Sequence, residues 1–233
     1  MIPRLELRDI AKSFTMHLRG GVHLPVVADL SFAVAPGECV VLGGPSGIGK
    51  SSILKMVFGN YSVDRGAILV ANDNQVVDIA TASPREVLAA RRSTIGYVSQ
   101  FLRVVPRVAA QDIVAEPLLA AGADRSEASE KAGTLLRRLN LPERLWQLPP
   151  ATFSGGEQQR VNVARGFINR RPLMLLDEPT ASLDAANRKV VIELIAEAKL
   201  AGTSFLGIFH DEEVRDAVAD RVVDVTRFAA VSS

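Results

Sequence analysis

Two hydrophobic rhythms run along this chain, and their order suggests its architecture. Near the start, Leu5, Leu7 and Asp9 alternate with Glu6, Arg8 and Ile10, the two-residue period of a half-buried strand. Lys12–His17 continues the pattern, and a Gly20-Gly21 turn leads into Leu24–Val34. This opening predicts antiparallel strands. Pro36-Gly37 then marks a turn before Cys39-Val40-Val41-Leu42, a short apolar run of the kind buried in a sheet. Ser52–Phe58 reads as a helix. Gly66–Val70 and Gln75–Ile79 flank Asn72-Asp73-Asn74 as a hairpin, and a short helix near Pro84–Arg92 precedes a strand at Thr94–Val98.

The middle of the chain changes to the helical period. Asp124-x-x-Glu127 has the form of a capping box, and Ala128, Ala132, Leu135, Leu136 and Leu139 follow at one-face spacing. Pro142, Pro149 and Pro150 punctuate its end. From Arg160 onward helix and apolar strand alternate: Leu173–Leu176, Arg188–Leu200, then Ser204–Phe209, with Gly202 at a helix C-terminus. Strands alternating with helices imply a parallel sheet with right-handed crossovers.

Composition narrows the classes. The 233 residues carry 27 basic and 26 acidic side chains, which gives no basic field for nucleic acid. Arg91-Arg92, Arg137-Arg138 and Arg170-Arg171 read as solvated faces. The single cysteine, Cys39, reads as a small buried residue in a reducing compartment. No signal peptide or membrane-length apolar run is visible, so a cytoplasmic location without direct membrane insertion is expected.

The chemistry begins at Gly44-Pro45-Ser46-Gly47-Ile48-Gly49-Lys50-Ser51-Ser52, between the Cys39–Leu42 strand and the following helix. Strand, G-x-x-x-x-G-K-S loop and helix are the context of a phosphate-binding loop. Its glycines let backbone N–H groups turn inward on an anion, and the helix adds its positive end. Lys50 would reach the β- and γ-phosphates, and the Ser51 hydroxyl would ligate Mg²⁺. A second stretch, Leu173–Leu176 followed by Asp177-Glu178, delivers two carboxylates at a strand's C-terminal end, where open α/β sheets place ligands. Asp177 would hold Mg²⁺ and Glu178 would polarise the attacking water. The third stretch is Phe153-Ser154-Gly155-Gly156-Glu157. Ser154-x-x-Glu157 is a capping box, yet two glycines in a first helical turn cost about 1 kcal/mol each relative to alanine. That cost is understandable where backbone must approach a ligand closely.

Together these three stretches resemble the nucleotide-binding domain of ATP-binding cassette (ABC) proteins, and the likeness spans nearly the whole chain. It implies an α/β fold of the P-loop NTPase class. A RecA-like parallel-sheet core would carry an antiparallel β subdomain and an α-helical subdomain at about residues 101–170, all within a single domain over 1–233. It implies ATP hydrolysis with ATP and Mg²⁺. It assigns roles to otherwise mute residues: Phe14 stacking on adenine, Gln100 meeting Mg²⁺ and the attacking water, Asp184 in Ser182-Leu183-Asp184 crossing a dimer interface, and His210 contacting the γ-phosphate. It also implies a sandwich dimer, of two copies or with a sister cassette protein, in which one chain's phosphate loop meets the other's Ser154-Gly155-Gly156. Glu157 stands where many members have glutamine.

A narrower resemblance rests on Gln100–Arg107, Asn140–Trp146 and Phe209–Glu212. These are similar to the L protein of the bacterial carbon–phosphorus lyase system of phosphonate degradation. The expectation is therefore an ATPase supporting conversion of ATP and an alkylphosphonate to a ribosyl phosphonate triphosphate, with other lyase subunits as partners. The alternative is the ATPase subunit of a lipoprotein-release or macrolide-type membrane exporter. In that case Phe101–Val108 would cradle a permease helix. Cassette ATPases of DNA repair or translation fit less well, because the chain is single, compact and nearly uncharged.

Overall fold

The computed structural model describes residues 2–16, 22–73, 75–102 and 106–229. The antiparallel opening forms as expected. Strands β1 (Leu5–Met16), β2 (Val22–Val34), β4 (Arg65–Ala71) and β5 (Val76–Asp78) make a four-stranded antiparallel sheet in the order β2-β1-β4-β5. The simple alternation of β1 is broken first near Asp9, and the pairing with β2 shifts again on either side of Lys12. Asp9 takes a positive φ of 49°, the register shifts after Leu7, and Ile10 turns into the core beside Leu5 and Leu7. A bulge adds one residue to the strand and so reverses which face the next side chain takes. The Gly20-Gly21 turn lies outside the described residues.

A second sheet holds five parallel strands in the order β6-β7-β8-β3-β9: β3 is Cys39–Gly43, β6 Ile95–Val98, β7 Leu173–Asp177, β8 Ser204–Ile208 and β9 Arg221–Asp224. Its central strands are apolar at successive positions because both faces are covered. Val40, Leu42, Leu173, Leu175, Leu206 and Ile208 join the core shared with α1 (Lys50–Val57) and the antiparallel sheet. Cys39, Val41, Met174, Leu176 and Phe205 face the other core, with residues of α3 (Ala110–Leu119), α4 (Arg125–Arg138), α5 (Gly155–Phe167), α6 (Ala185–Leu200) and α7 (Glu212–Val218). Cys39 is fully buried, and desolvation pushes its thiol up to about 12. Among the described residues no helix is long and apolar enough to cross a membrane.

Local signals resolve unevenly. In α4, Asp124 caps the amides of Ser126 and Glu127, but Glu127 turns to Lys131 instead of closing the box. The arginine pairs are not simply solvated. Arg91, in α2 (Pro84–Ser93), donates to the Phe58 carbonyl and to Asn60 while lying over the Phe58 ring. Arg138 forks onto Glu197 of α6 at 2.7 and 2.5 Å. A guanidinium carries five donors on an apolar stem, so it can fasten two elements together where a lysine would stay in water.

Candidate nucleotide site

The parallel order puts the C-terminal ends of β3, β6, β7 and β8 along one edge, and the chemistry-bearing residues leave from those ends. After β3 the chain turns through Gly44–Gly49 into α1. Gly49 is the N-cap residue of α1, with φ 104° and no side-chain cap, whereas α2, α4, α5, α6 and α7 are each capped by a serine or aspartate side chain. A β-carbon at Gly49 would lie 2.4 Å from a methyl of Val26, so the loop can sit against β2 only as glycine. The uncapped amides of α1 open toward a cleft of 190 Å³ lined by Ser46, Gly47, Gly49, Lys50, Ser51, Ser52, Glu178, Ile208 and His210. Amides and helix dipole together favour an anion there. Lys50 donates to the carbonyls of Gly44 and Pro45 at 2.7 and 2.8 Å. Burial lowers its pKa, and the charge of Glu178 works in the opposite direction.

Two carboxylates leave the end of β7 and take separate partners. Asp177, only 3% exposed, accepts from the Ser51 hydroxyl at 3.0 Å on Oδ1 and from the Tyr97 phenol at 2.9 Å on Oδ2. The Ser51–Asp177 oxygen pair is a hard-donor set that suits Mg²⁺, which takes one or two protein oxygens and completes its shell with phosphate and water. Glu178 has φ 54°, an unusual value for a side chain larger than glycine, and its amide is held by the Ile208 carbonyl. That backbone turns its carboxylate into the cleft. Oε1 meets His210 Nε2 at 2.7 Å, and Oε2 accepts from Gln100 Nε2 at 3.2 Å. Gln100 thus hydrogen-bonds Glu178 rather than the Ser51–Asp177 pair.

Other expected site residues stand apart from this cleft. Phe14 lies on β1, edge-on to Tyr61 at 5.2 Å, with the Lys12 ammonium 5.1 Å from its ring. The Ser154–Glu157 segment opens α5 as a complete capping box: Ser154 donates N–H and O–H to Glu157 at 2.8 Å each, and the Glu157 amide returns to Ser154 Oγ at 3.3 Å. The Ser154 amide, then its hydroxyl, hold the Glu157 carboxyl below its ordinary range. Gly155 and Gly156 back onto Ser182. Asp184 caps α6 through the Asn187 amide at 2.8 Å, and that bond lowers its pKa. Sequence reasoning passed over Tyr97, and over Arg188, which ties the Leu183 carbonyl to Asp211 beside His210. A tyrosine in an apolar strand looks like core, and only strand pairing shows where its hydroxyl ends.

A phosphate-type loop, two carboxylates at the end of β7 and a histidine after β8 converge on one sheet edge, and the ABC transporter family model matches residues 27–181. The chain belongs to the ABC transporter family. It is an ABC ATPase: it binds and hydrolyses ATP on an ABC ATPase fold. It is 38% identical over 225 residues to the lipoprotein-releasing system ATP-binding protein LolD of Novosphingobium aromaticivorans, covering 95% of each chain. It is 32% identical over 223 residues to the macrolide export ATP-binding/permease protein MacB of Brucella melitensis, covering 96% of this chain and 33% of that protein. The dimeric structure of MJ0796, a bacterial ABC transporter cassette, superposes with a TM-score of 0.85 at 26% identity, covering 95% of this chain and 94% of that one. A second MJ0796 dimer, bound to ADP and Pi, gives 0.84.

These relatives overturn the carbon–phosphorus lyase assignment and, with it, phosphonate metabolism and lyase subunits as partners. The structure explains why the narrower resemblance misled. Trp146 packs beside Gly133 and donates to the Leu141 carbonyl at 3.0 Å. The Asn140 side chain joins Asn187, and its carbonyl accepts from Arg160. Asp211 caps α7. These residues hold the fold together and carry no information about a partner. Of the remaining stretch, residues 103–105 lie outside the described residues.

Proposed function

We propose that this chain is the ATP-hydrolysing subunit of a membrane exporter of the lipoprotein-releasing type, working as a sandwich of two copies on the cytoplasmic side of the membrane. The macrolide exporters are the second relatives to weigh. The observation that carries the proposal is the 38% identity to a lipoprotein-releasing ATP-binding protein over 95% of both chains. The dimeric cassettes with TM-scores of 0.84 and 0.85 support the paired state. Phe101, at 75% exposure beside the buried Leu102, offers an apolar contact at the start of the segment expected to meet a permease.

The geometry of the site supports the following chemistry. Gly44–Gly49 and the first amides of α1 grip the phosphates, with Lys50 leaving its carbonyl partners for the β- and γ-oxygens. Ser51 and Asp177 are the residues that would hold Mg²⁺, which when bound offsets the negative charge of the phosphates. Glu178 takes the proton of the attacking water, as a carboxylate fixed at the end of a rigid strand can. His210 and Gln100, which hold its two oxygens, aim it, and His210 is placed to move onto the terminal phosphate. Ser154, Gly155, Gly156 and Asp184 lie away from the cleft of their own chain, so their proposed ligand is the nucleotide of a partner copy. Phe14 remains the proposed adenine contact. Residues 101–170 form the proposed helical subdomain of a single domain.

The test is a pull-down of tagged Glu178→Gln protein from its native membrane in MgATP, with mass spectrometry of the eluate. An integral membrane permease of an exporter is the expected partner. Recovery with soluble proteins alone would refute the exporter assignment.

A further inference from the structure

Tyr97 links both ends of the helix that follows the phosphate loop. It lies on β6 opposite Leu175 of β7, so its side chain shares the sheet face of Leu175 and, two residues on, Asp177. Its hydroxyl donates to Asp177 Oδ2 at 2.9 Å, while Oδ1 receives Ser51 from the first turn of α1 at 3.0 Å. Its ring stacks on Phe58, the C-cap residue of the same helix, with centroids 5.0 Å apart and planes 28° from parallel. Arg91 lies over the Phe58 ring as well, its guanidinium carbon 4.3 Å from the centroid. The phenol is therefore held from behind by its stack on Phe58 and aimed at one oxygen of a buried carboxylate.

We propose that Tyr97 is a positioning residue for Asp177: its hydroxyl fixes the carboxylate so that Oδ1 stays beside Ser51, where the cation of a bound nucleotide is held. The proposal rests on the Mg-ATP assignment above. A carboxylate with one oxygen tied cannot rotate about its terminal torsion, a torsion that is otherwise broad. Loss of the phenol would leave Oδ2 short of a donor in a dry setting, and the carboxylate would turn to recover one. The cation would then meet a less ordered ligand. Phosphate contacts made by the loop amides and Lys50 involve neither oxygen, so they should survive.

The test compares ATP binding by calorimetry in excess Mg²⁺ and in EDTA, for the wild type and Tyr97→Phe. The variant should bind ATP about tenfold more weakly than wild type in Mg²⁺, the scale of one hydrogen bond to a charged group, and like wild type in EDTA. Unchanged binding in Mg²⁺ would overturn the proposal. Equal weakening in both conditions would overturn it too, since that marks a displaced loop and not a misaimed carboxylate. A wild type that binds ATP identically with and without Mg²⁺ would sink the Mg-ATP assignment itself, and the proposal with it. Should Tyr97→Phe not fold, Phe58→Leu loosens the stack while keeping the phenol. The same Mg²⁺-selective weakening, of smaller size, is expected there, and its absence would count against the proposal.

Discussion

Lys50 and Glu178 face the same cleft, and the separate roles proposed for them should be separable by single substitutions. Lys50→Ala removes the positive point charge next to the loop amides. ATP affinity measured by calorimetry should fall on the order of tenfold or more, because a charge-assisted contact is lost in a partly desolvated site. Glu178→Gln is nearly isosteric and keeps both side-chain contacts possible, yet an amide cannot accept the water's proton. Turnover measured by phosphate release should drop roughly 10²- to 10³-fold with ATP affinity preserved. A Glu178→Gln protein with wild-type turnover would remove Glu178 from its assigned role. The backbone at Glu178 adds weight to that role. A positive φ in a residue with a β-carbon is strain that a fold retains where it serves something, and here it aims a carboxylate into the cleft.

At the scale of elements, the entry to α5 is the point where capping and close approach meet. A β-carbon at Gly156 would lie 2.8 Å from the Ser182 carbonyl, a backbone atom that cannot swing away. Gly156→Ala should therefore lower stability by about 1–3 kcal/mol in chemical denaturation, despite alanine's better helix propensity. A stabilised variant would mean that the Ser182 turn yields freely. The capping box also carries a pH signature. The folded Glu157 carboxyl lies below the unfolded value near 4.5, held there by the Ser154 amide and then the Ser154 hydroxyl. A depressed carboxylate pKa contributes stability that is full above the unfolded value and is lost as pH falls through the folded one. Wild type should accordingly be more stable than Glu157→Gln at neutral pH, by an amount reduced by solvent screening. The difference in Tm should shrink below about pH 4.5. A difference that stays constant into acid would show that the ionised box contributes nothing.

At the scale of the whole molecule, the phosphate loop and the Ser154 helix do not share a cleft within one chain, which makes the proposed composite site testable by mixing. Glu178→Gln and Ser154→Arg should each be nearly inactive alone. In an equal mixture, half of the randomly formed pairs are mixed, and each mixed pair has one site built from an intact Glu178 and an intact Ser154 segment. Phosphate release should recover to about a quarter of wild type, if the sites turn over independently. No recovery would argue against sites shared between two copies.

Much of this was legible in the chain because its signals are local. A loop that must turn backbone amides onto phosphate requires glycine at fixed spacing, and Gly44–Ser51 announces itself through that requirement. The apolar runs at Cys39–Leu42, Leu173–Leu176 and Ser204–Ile208 foretold a parallel sheet, since strands covered on both faces have no polar side to show. The Ser154 capping box was readable for the same reason: all its partners lie within three residues. The sequence likewise determined family and catalytic class.

Tertiary structure decided what depends on residues far apart in the chain. The reversal of Ile10 into the core comes from a bulge that no alternation rule anticipates, because the extra residue is set by pairing with β2 and β4. Arg91 became a clamp on Phe58 when α2 met the end of α1, and Tyr97 became a donor to Asp177, 80 positions away, once β6 paired with β7. Within the stretches that pointed to a lyase partner, Asn140, Trp146 and Asp211 proved to make caps and packing contacts. Local sequence fixes backbone shape through sterics and hydrogen bonds between near neighbours. Strand pairing, by contrast, brings distant side chains within 3 Å, and that step decides which polar groups share a proton, a cation or a phosphate.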